Sequence, residues 1–297
     1  CTKRGVAFFG RDSESTLPVW SARDGYPGNP NYREFHRDLG WDLSIENLKK
    51  IGIQEKRPLG IKLFKISSKN TSLADKEEYD PKAAKESVEK DAENYLKDRK
   101  KQLIKLENSM QIEPLLIAPF DAELFGHWWF EGPIFLSNIF IKSKNEGIKL
   151  ITLKEALQVT SKIQLCNPSP SSWGQGGFHD YWLDKSNAWI VHEWSKAGRE
   201  MVSICSKGLI DESNIKIISQ AGRELLLCQS SDWSFILKAG TTTELARERI
   251  NLHLKRFWML INTIKDNKII NQKTLKGIER EDCIFPLISP IDWKKKI

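Results

Sequence analysis

The pattern of apolar residues changes between residues 165 and 172, and this change constrains the fold more than any other feature of the sequence. Before it, short apolar segments at 112–118 and 148–151 have the length of buried strands, and each is followed by a helical pattern. From residue 187 onward the apolar residues recur at helical spacing almost to the end. We therefore predict alternating strands and helices, as in a parallel sheet or barrel, followed by an all-α bundle.

The same reasoning predicts individual elements. Helices are expected over 44–51, 83–106, 134–142, 153–160, 187–205, 214–229 and 242–264, and a further short strand over 6–9. Two threonines are followed by glutamate at the spacing of a capping box: Thr152 with Glu155, and Thr241 with Glu244. Residues 231–235 interrupt the helical pattern, and there Asp232 either caps a helix beside a packed Trp233 or forms a corner that faces a ligand.

Composition narrows the class of protein. The chain has 297 residues, enough for one large domain or two ordinary ones, and its 40% hydrophobic and 29% charged content is typical of a soluble globular protein. No apolar run approaches the roughly 20 residues of a membrane span. The net charge is +7, but the basic residues are spread along the chain and mixed with acidic ones, so they form no focused basic patch. We therefore predict no nucleic-acid partner and no membrane partner.

The two ends and the cysteines predict the cellular setting. No charged start precedes an apolar segment, so we expect no signal peptide, and a chain that begins at Cys1 is expected to be part of a longer one. The five cysteines are widely spaced without a CxxC pair, which favours neither disulfides nor a zinc site. We predict a cytoplasmic protein without metal or cofactor.

Residues 119–133, PFDAELFGHWWFEGP, concentrate the groups that bind polar ligands. Asp121 falls where the first predicted strand ends, and Glu123, His127 and two tryptophans from Trp128 onward follow within nine positions. Sugars suit such a set, because their C–H faces stack on tryptophan and their hydroxyls need carboxylate, amide or imidazole partners. The alternative is that the tryptophans are core residues and that Asp121 caps the next helix.

Two loops carry further candidates. Residues 19–32 contain Trp20 among glycines and prolines, and such a loop either wraps a ligand or packs down through its aromatic side chains. Residues 171–190 place Trp173 and Trp182 on either side of a glycine cluster. Its GQGG run lacks both the P-loop lysine and the GxGxxG spacing, so phosphate binding is disfavoured.

Four segments resemble one family. FDAELFGHWWFEGP and SSWGQGGFHDYWL resemble the last two signature regions of glycoside hydrolase family 57, most closely its 1,4-α-glucan branching enzymes. VWSARDGYPGNPNYREFHRDLGWDL and ELLLCQSSDWSF resemble the same subgroup. The resemblance implies an α/β plus all-α fold: residues 1–168 as the C-terminal portion of a seven-stranded β/α barrel with an inserted helical segment, and residues 169–297 as a helical-bundle domain that closes the substrate cleft.

The resemblance also implies roles for individual residues. Asp121 matches the general acid/base of a retaining mechanism. The matches in the glucan-binding cleft are Trp20, Trp173, Trp182 and Asp232, and Arg11 and Gly25 are two further matches. His127 and Trp128 join them as predicted substrate contacts. Thr241 stands where some relatives carry a glutamine that contacts glucan. The family's nucleophile is a glutamate on an earlier strand, and no segment of this sequence resembles the one that carries it.

The implied activity is transfer of an α-1,4-glucan segment to a 6-hydroxyl, which forms α-1,6 branches in a glycogen-like glucan. We expect this chain to carry only the acid/base half of the site and the complete enzyme to be a monomer. The alternatives are an α-amylase or 4-α-glucanotransferase of the same family, or a non-catalytic glucan-binding fragment. We also expect Asp121, Trp173, Trp182 and Asp232 to lie around one cleft.

Overall fold

The structure is a computed structural model that describes residues 1–110, 113–160, 163–172, 175–206, 210–211 and 214–294, without the side chain of Gln175. The chain divides into two compact units, Cys1–Asn167 and Pro168–Ile297. Within the described residues, none of the helices combines the length and the apolar character needed to cross a membrane.

The first unit is built around one long helix. Its helices are α1 (Ser13–Trp20), α2 (Leu39–Asp42), α3 (Ile45–Lys50), α4 (Pro81–Met110), α5 (Gly132–Lys142) and α6 (Leu153–Val159). One stripe of α4 is buried, including Val88, Ala92 and Leu96 at helical spacing, and α5 packs along it. Val19, Tyr32 and Trp129 complete this core. The helix predicted over 83–106 is confirmed and extends by a few residues at each end.

The strands predicted in the first unit are wrong for the residues that the structure describes. Residues 6–9, 113–118 and 148–151 lie in no strand, and the β-pairing in the described ranges consists of isolated bridges such as Arg33 with Lys65. The Asp12 N–H donates to the Ile117 carbonyl at 2.8 Å, a single bond where a strand needs a ladder. Ile112 lies outside the described residues.

Apolar composition explains why these strands were predicted, and pairing explains why they are absent. A run of apolar residues fits a pleated, buried surface, but a strand exists only when a neighbour about 4.8 Å away bonds to it repeatedly. Side chains in these segments are also partly open to solvent, as in Leu115, which is 42% exposed, and Leu150, which is 41% exposed. The portion of a β/α barrel implied by the resemblance is therefore not present in the described residues.

The described residues of the second unit form helices and irregular segments without strands, as predicted. Its helices are α7 (Ala188–Ser206), α8 (Ile215–Cys228), α9 (Ser231–Ala239), α10 (Thr243–Lys265) and α11 (Gln272–Glu281). The helices α8 and α10 pack along each other, and Met201, Ile218, Leu225, Ile250 and Phe257 are buried in a core shared by several helices. This periodic burial confirms the helices predicted from residue 187 onward.

Two local predictions in the second unit fail. Residues 231–235 do not interrupt the helical pattern but open α9, because Trp233 packs on the core and its Nε1 donates to the Leu227 carbonyl at 2.9 Å. The capping box of Thr241 and Glu244 is also wrong. The N-cap of α10 is Thr242, whose side chain makes no cap hydrogen bond.

The capping box in the first unit is confirmed. The Glu155 N–H donates to Thr152 Oγ1 at 3.2 Å, and the Thr152 N–H donates to Glu155 Oε2 at 2.7 Å. These reciprocal bonds satisfy two backbone donors that would otherwise lack partners at the start of α6. The hydrogen bonds of Thr152 hold the pKa of the Glu155 carboxyl below its usual range.

Candidate functional site

Asp121 stands at the start of a 3₁₀ turn, Ala122–Leu124, that leads toward α5. Its backbone carbonyl accepts from the Leu124 N–H at 3.1 Å, but its side chain makes no cap bond. The side chain is exposed, and no described residue forms a hydrogen bond or ion pair with it. The carboxylate is therefore not engaged as a helix cap and is open to a ligand or to water.

Two exposed side chains after Asp121, His127 and Trp128, pack with the partly exposed Phe35 from earlier in the chain; we name these three residues the aromatic cluster. Trp128 stacks on Phe35 with ring centroids 4.5 Å apart and an interplanar angle of 26°. His127 meets both rings edge-on, at 6.0 Å from Phe35 and 5.6 Å from Trp128. Trp128 is 50% exposed, and its Nε1 makes a long contact of 3.4 Å to Glu123 Oε1. Such a surface offers a flat apolar face beside polar edges, as sugar recognition requires.

The adjacent tryptophan has a different place. Trp129 is 2% exposed and packs against Phe135 at 4.9 Å in the core of the first unit. Its Nε1 is buried without a hydrogen-bond partner among the described residues. The alternative interpretation of the two tryptophans as core residues thus holds for Trp129 and not for Trp128.

Glu131 braces the loop that carries Asp121 and was not predicted from the sequence. It is 1% exposed, and its Oε1 accepts from the Arg33 N–H at 3.0 Å and from the Tyr79 hydroxyl at 2.8 Å. The Arg33 guanidinium lies 3.5 Å from the centre of the Phe130 ring. A glutamate directly before the Gly-Pro start of α5 was the available signal, but its partners lie far away in the sequence.

The braced residues have displaced pKa values. Burial raises the pKa of the Tyr79 hydroxyl above its usual range, and its hydrogen bond to Glu131 acts in the same direction. Burial lowers the pKa of Arg33, and the charge of Glu131 opposes that change. Tyr79 therefore stays a neutral donor to Glu131 at physiological pH.

Val19 and Trp20, which were predicted in a loop, end α1. The loop of residues 21–32 that follows is held down by its own aromatic side chains. The Tyr26 hydroxyl donates to Asn94 Oδ1 at 2.7 Å, and the Tyr32 hydroxyl donates to Asp91 Oδ2 at 2.6 Å, both on α4. Of the two alternatives, a loop packed down by its aromatic residues describes these tyrosines. Trp20 is half-buried, packs against the same core, and has an Nε1 without a hydrogen-bond partner in the described part of the chain.

Two further candidates of the first unit have structural settings. A Cβ added to Gly25 would lie 2.1 Å from the Pro18 carbonyl oxygen, so the close approach of two backbone segments requires glycine there. Arg11 is exposed and directly precedes Asp12, the N-cap of α1. Both remain predictions as ligand contacts.

The second unit holds the remaining candidates. Trp182 is half-buried and tilted against Phe235 of α9, with centroids 6.4 Å apart, while Tyr181 stacks on that same ring at 5.1 Å. Asp232 is exposed in the first turn of α9 and accepts from the Ser230 hydroxyl at 3.0 Å. It precedes Phe235 by three positions, which places the two residues on one face of the helix. Trp173 lies outside the described residues.

Asp184 fixes the end of the segment that carries Trp182. Its Oδ2 pairs with Lys238 Nζ on α9 at 2.7 Å. The hydrogen bond from Lys238 and two from Ser186 hold the pKa of Asp184 well below its usual range. Asp121, Trp20 and Trp128 belong to the first unit, and Trp182 and Asp232 to the second, so their meeting around one cleft stays a prediction.

One group of side chains in the second unit has the composition of a metal site. Ligand atoms of Glu224, His253 and Asp282 lie within 4.8 Å of one another. The Arg256 guanidinium pairs with Asp282, and Glu224 accepts from Gln220 at 2.9 Å and contacts His253 Nδ1 at 2.8 Å. Because these contacts already satisfy the carboxylates, the group serves as a buried network that ties α8, α10 and the end of α11.

Comparisons with known proteins find similarity to 1,4-α-glucan branching enzymes. Residues 193–293 match the family described as 1,4-alpha-glucan branching enzyme, C-terminal. A 1,4-alpha-glucan branching enzyme of Thermococcus kodakarensis is 33% identical over 287 residues, covering 94% of this chain and 40% of that protein. A probable 1,4-alpha-glucan branching enzyme of Mycobacterium tuberculosis is 29% identical over 261 residues, covering 84% of this chain and 46% of the relative.

Two solved structures also match this chain along its whole length. The α-amylase AmyC of Thermotoga maritima matches with a TM-score of 0.78 and 37% identity, over 100% of this chain and 56% of its own. A GH57-type branching enzyme of Pyrococcus horikoshii matches with a TM-score of 0.79 and 30% identity, over 100% of this chain and 53% of its own.

These matches confirm the resemblance to the 1,4-α-glucan branching enzymes of glycoside hydrolase family 57, and the matched family places residues 193–293 in their C-terminal part. The chain spans about half the length of the relatives it matches.

Proposed function

We propose that this chain carries the acid/base side of a retaining 1,4-α-glucan branching enzyme, which moves an α-1,4-glucan segment onto a 6-hydroxyl. The observation that carries the proposal is the exposed Asp121 carboxylate, which makes no cap bond and lies in the same short segment as His127 and Trp128 of the aromatic cluster. Similarity over nearly the whole chain to proteins named as branching enzymes supports it.

Asp121 would act twice in such a reaction. As an acid, it protonates the glycosidic oxygen that leaves; as a base, it then takes the proton of the acceptor 6-hydroxyl. A retaining mechanism also needs a nucleophilic carboxylate about 5–5.5 Å from the acid/base. No segment of this sequence resembles the one that carries that glutamate in the family, so we propose that a segment outside residues 1–297 supplies it.

The aromatic residues would hold the glucan. Trp128 offers an exposed face on which the C–H face of a glucose unit can stack, and His127 lies at its edge with two ring nitrogens for hydroxyls. Trp20, Trp173 and Trp182 are proposed as further walls, with Arg11, Gly25 and Asp232 as additional contacts. We propose an α-1,4-glucan as the only partner of a cytoplasmic, monomeric complete enzyme without metal or cofactor.

A chimaera tests the assignment of Asp121. Residues 1–297 are joined behind the part of the Thermococcus kodakarensis branching enzyme that they do not match, and the product is incubated with amylose. We expect new α-1,6 linkages, abolished by Asp121→Asn and retained by Asp75→Asn, which changes an exposed aspartate elsewhere in the first unit. Circular dichroism of each variant checks folding. Full branching by a folded Asp121→Asn chimaera would refute the assignment.

The same assay separates three other functions. An α-amylase produces reducing ends, and a 4-α-glucanotransferase redistributes α-1,4 chain lengths. The structural match to an α-amylase is the reason to test for both activities. A non-catalytic glucan-binding fragment is favoured by the absence of a nucleophile segment from this sequence. It would bind amylose, and its chimaera would form no product of any kind.

A further inference from the structure

A groove on the second unit is lined by none of the residues proposed above for catalysis or binding. It encloses about 610 Å³, within the range of small-ligand sites, and is open to solvent. It is lined by Val191, Trp194, Ser195, Gly198, Arg199, Val202 and Gln229. Six of these residues recur at intervals of three or four along α7, so one face of that helix forms the floor, and the end of α8 forms a wall.

Trp194 is held in place before any ligand arrives. Its ring packs against the core of the second unit, and its Nε1 donates to Sγ of the buried Cys228 at 3.1 Å. Burial raises the pKa of the Cys228 thiol to about 12, so the sulfur stays a neutral thiol. An aromatic surface fixed in this way loses little entropy when a ligand stacks on it.

Three polar side chains line the groove together with Trp194 and form no hydrogen bonds with one another. They are the Ser195 hydroxyl, the Arg199 guanidinium and the Gln229 amide, and none has a hydrogen-bond or ionic partner in the described part of the chain. The arginine guanidinium offers several N–H donors, and the amide and the hydroxyl can each donate and accept a hydrogen bond. Paired donors and acceptors of this kind match the neighbouring hydroxyls of a sugar ring.

The chemistry of the lining separates a sugar from other ligands. A phosphate or nucleic-acid ligand calls for several cations, whereas Arg199 is the one cationic side chain of the lining. A purely apolar ligand would leave three polar side chains unpaired beneath it, at a cost in desolvation. A pyranose presents a C–H face to Trp194 and hydroxyls to the polar groups at once.

We propose that this groove is a second glucan-binding site, which holds a short α-1,4-linked segment on the surface of the second unit. The proposal rests on the proposed function for its choice of sugar. A second site of this kind would raise the local concentration of a polymeric substrate without taking part in bond transfer.

Gly198 provides a way to block the groove without disturbing the core. A Cβ at this position would lie 3.7 Å from Gln229 Nε2, an ordinary contact, so a side chain can be added there. Gly198→Gln would project into the groove while favouring the helical conformation of α7. Trp194→Ala is a poorer test, because it would also remove part of the core.

The experiment measures binding of maltoheptaose to the full chain by calorimetry. We expect roughly tenfold weaker binding at one site in Gly198→Gln and in Arg199→Ala/Gln229→Ala, since two ordinary hydrogen bonds are lost in the double variant. His192→Ala, an exposed change on the same helix outside the groove, should bind as the unaltered chain does. Thermal unfolding confirms that the variants are folded.

Three results would overturn the proposal: no maltoheptaose binding by the unaltered chain, unchanged binding in both folded groove variants, or equal binding of a β-1,4-linked cellohexaose. The branching assay is independent of these. If the chimaera fails to branch while the groove variants still lose maltoheptaose affinity, the proposed function fails and the site stands. If the chimaera branches while the groove variants keep their maltoheptaose affinity, the second site is wrong and the proposed function stands.

Discussion

Replacing Glu131 tests whether one buried carboxylate braces the loop that carries Asp121. Glu131→Ala removes the acceptor of two hydrogen bonds, at 3.0 Å from the Arg33 N–H and 2.8 Å from the Tyr79 hydroxyl, and leaves two partly buried donors without it. Hydrogen bonds to a charged group contribute about 1.5–3 kcal/mol each, and one unpaired buried donor costs about 1–3 kcal/mol. The lost bond and the unpaired donor count part of the same energy, so the two figures are not added in full. We expect a loss of about 3–5 kcal/mol in the free energy of unfolding.

Milder changes at the same brace should follow an order. Glu131→Gln keeps one acceptor oxygen and the shape of the side chain, so it should cost about 1–2 kcal/mol. Tyr79→Phe removes one donor and leaves the bond from Arg33, and we expect about 1 kcal/mol. Glu113→Ala, at an exposed position in an irregular segment, is the matched control and should change stability by less than about 0.5 kcal/mol.

Urea unfolding of the full chain, followed by tryptophan fluorescence and circular dichroism, gives these differences. Because the chain has two compact units, the transition of the first unit must be fitted separately, with the same m-value for all variants. If Glu131→Ala lowered the free energy of unfolding by less than about 1 kcal/mol, comparable to its control, the brace would contribute little and the reasoning would be wrong.

Two other predictions concern the second unit. Burial raises the pKa of Glu224, so its ionisation opposes folding: stability is greatest near or below the ordinary glutamate pKa of about 4.3 and falls as pH rises through the folded value. Glu224→Gln should flatten this decline in urea titrations. A Cβ at Gly222 would lie 2.4 Å from Cη2 of Trp293, whereas one at Gly277 meets no atom within 4 Å. Gly222→Ala should therefore destabilise by about 1–3 kcal/mol and Gly277→Ala should stabilise by up to about 1 kcal/mol, measured by thermal unfolding.

Either of these predictions can fail clearly. A pH profile that is as steep in Glu224→Gln as in the unaltered chain would assign the dependence to other groups, such as Asp282 beside it. Equal effects of alanine at Gly222 and Gly277 would mean that the Trp293 ring moves aside at no cost. The double variant Gly222→Ala/Trp293→Ala should then show no coupling between the two positions.

Helices could be predicted from this sequence because their signal is local. The stripe of Val88, Ala92 and Leu96 repeats within one segment, so burial of a single face is visible without knowing the neighbours. Strands depend on partners that are distant in sequence, and residues 148–151 have the composition of a strand without the ladder. Composition alone could not separate these cases.

Caps show how a shift of one residue changes a prediction. Thr152 begins α6 with Glu155 at the third helical position, and both reciprocal bonds form. At α10 the N-cap is Thr242 and not Thr241, so Glu244 falls at the second helical position and cannot complete the box. The motif was present in the sequence, but three successive threonines left its register undetermined.

The sequence allowed Asp121 of the candidate site to be predicted, but not the residues that pack against or hold its loop. Asp121 was identified because a carboxylate near aromatic residues is a chemical signal within one segment. Phe35 and Glu131 were missed because what matters about them is a contact: Phe35 stacks on Trp128, and Glu131 accepts from Arg33 and Tyr79. Such partners follow from the fold of the loop, which has no period to extrapolate.

Trp128 and Trp129 give the sharpest form of this limit. In a helix or strand, the period fixes which of two adjacent side chains faces the core, but the turn that joins Asp121 to α5 has no such period. One ring is 50% exposed and stacks on Phe35, while the next is 2% exposed and packs on Phe135. The backbone bonds from Trp128 to Glu123 and from Trp129 to Leu124 set this division. Because they bind the two residues to successive carbonyls of the 3₁₀ turn, the turn that holds Asp121 also decides which ring can meet a ligand.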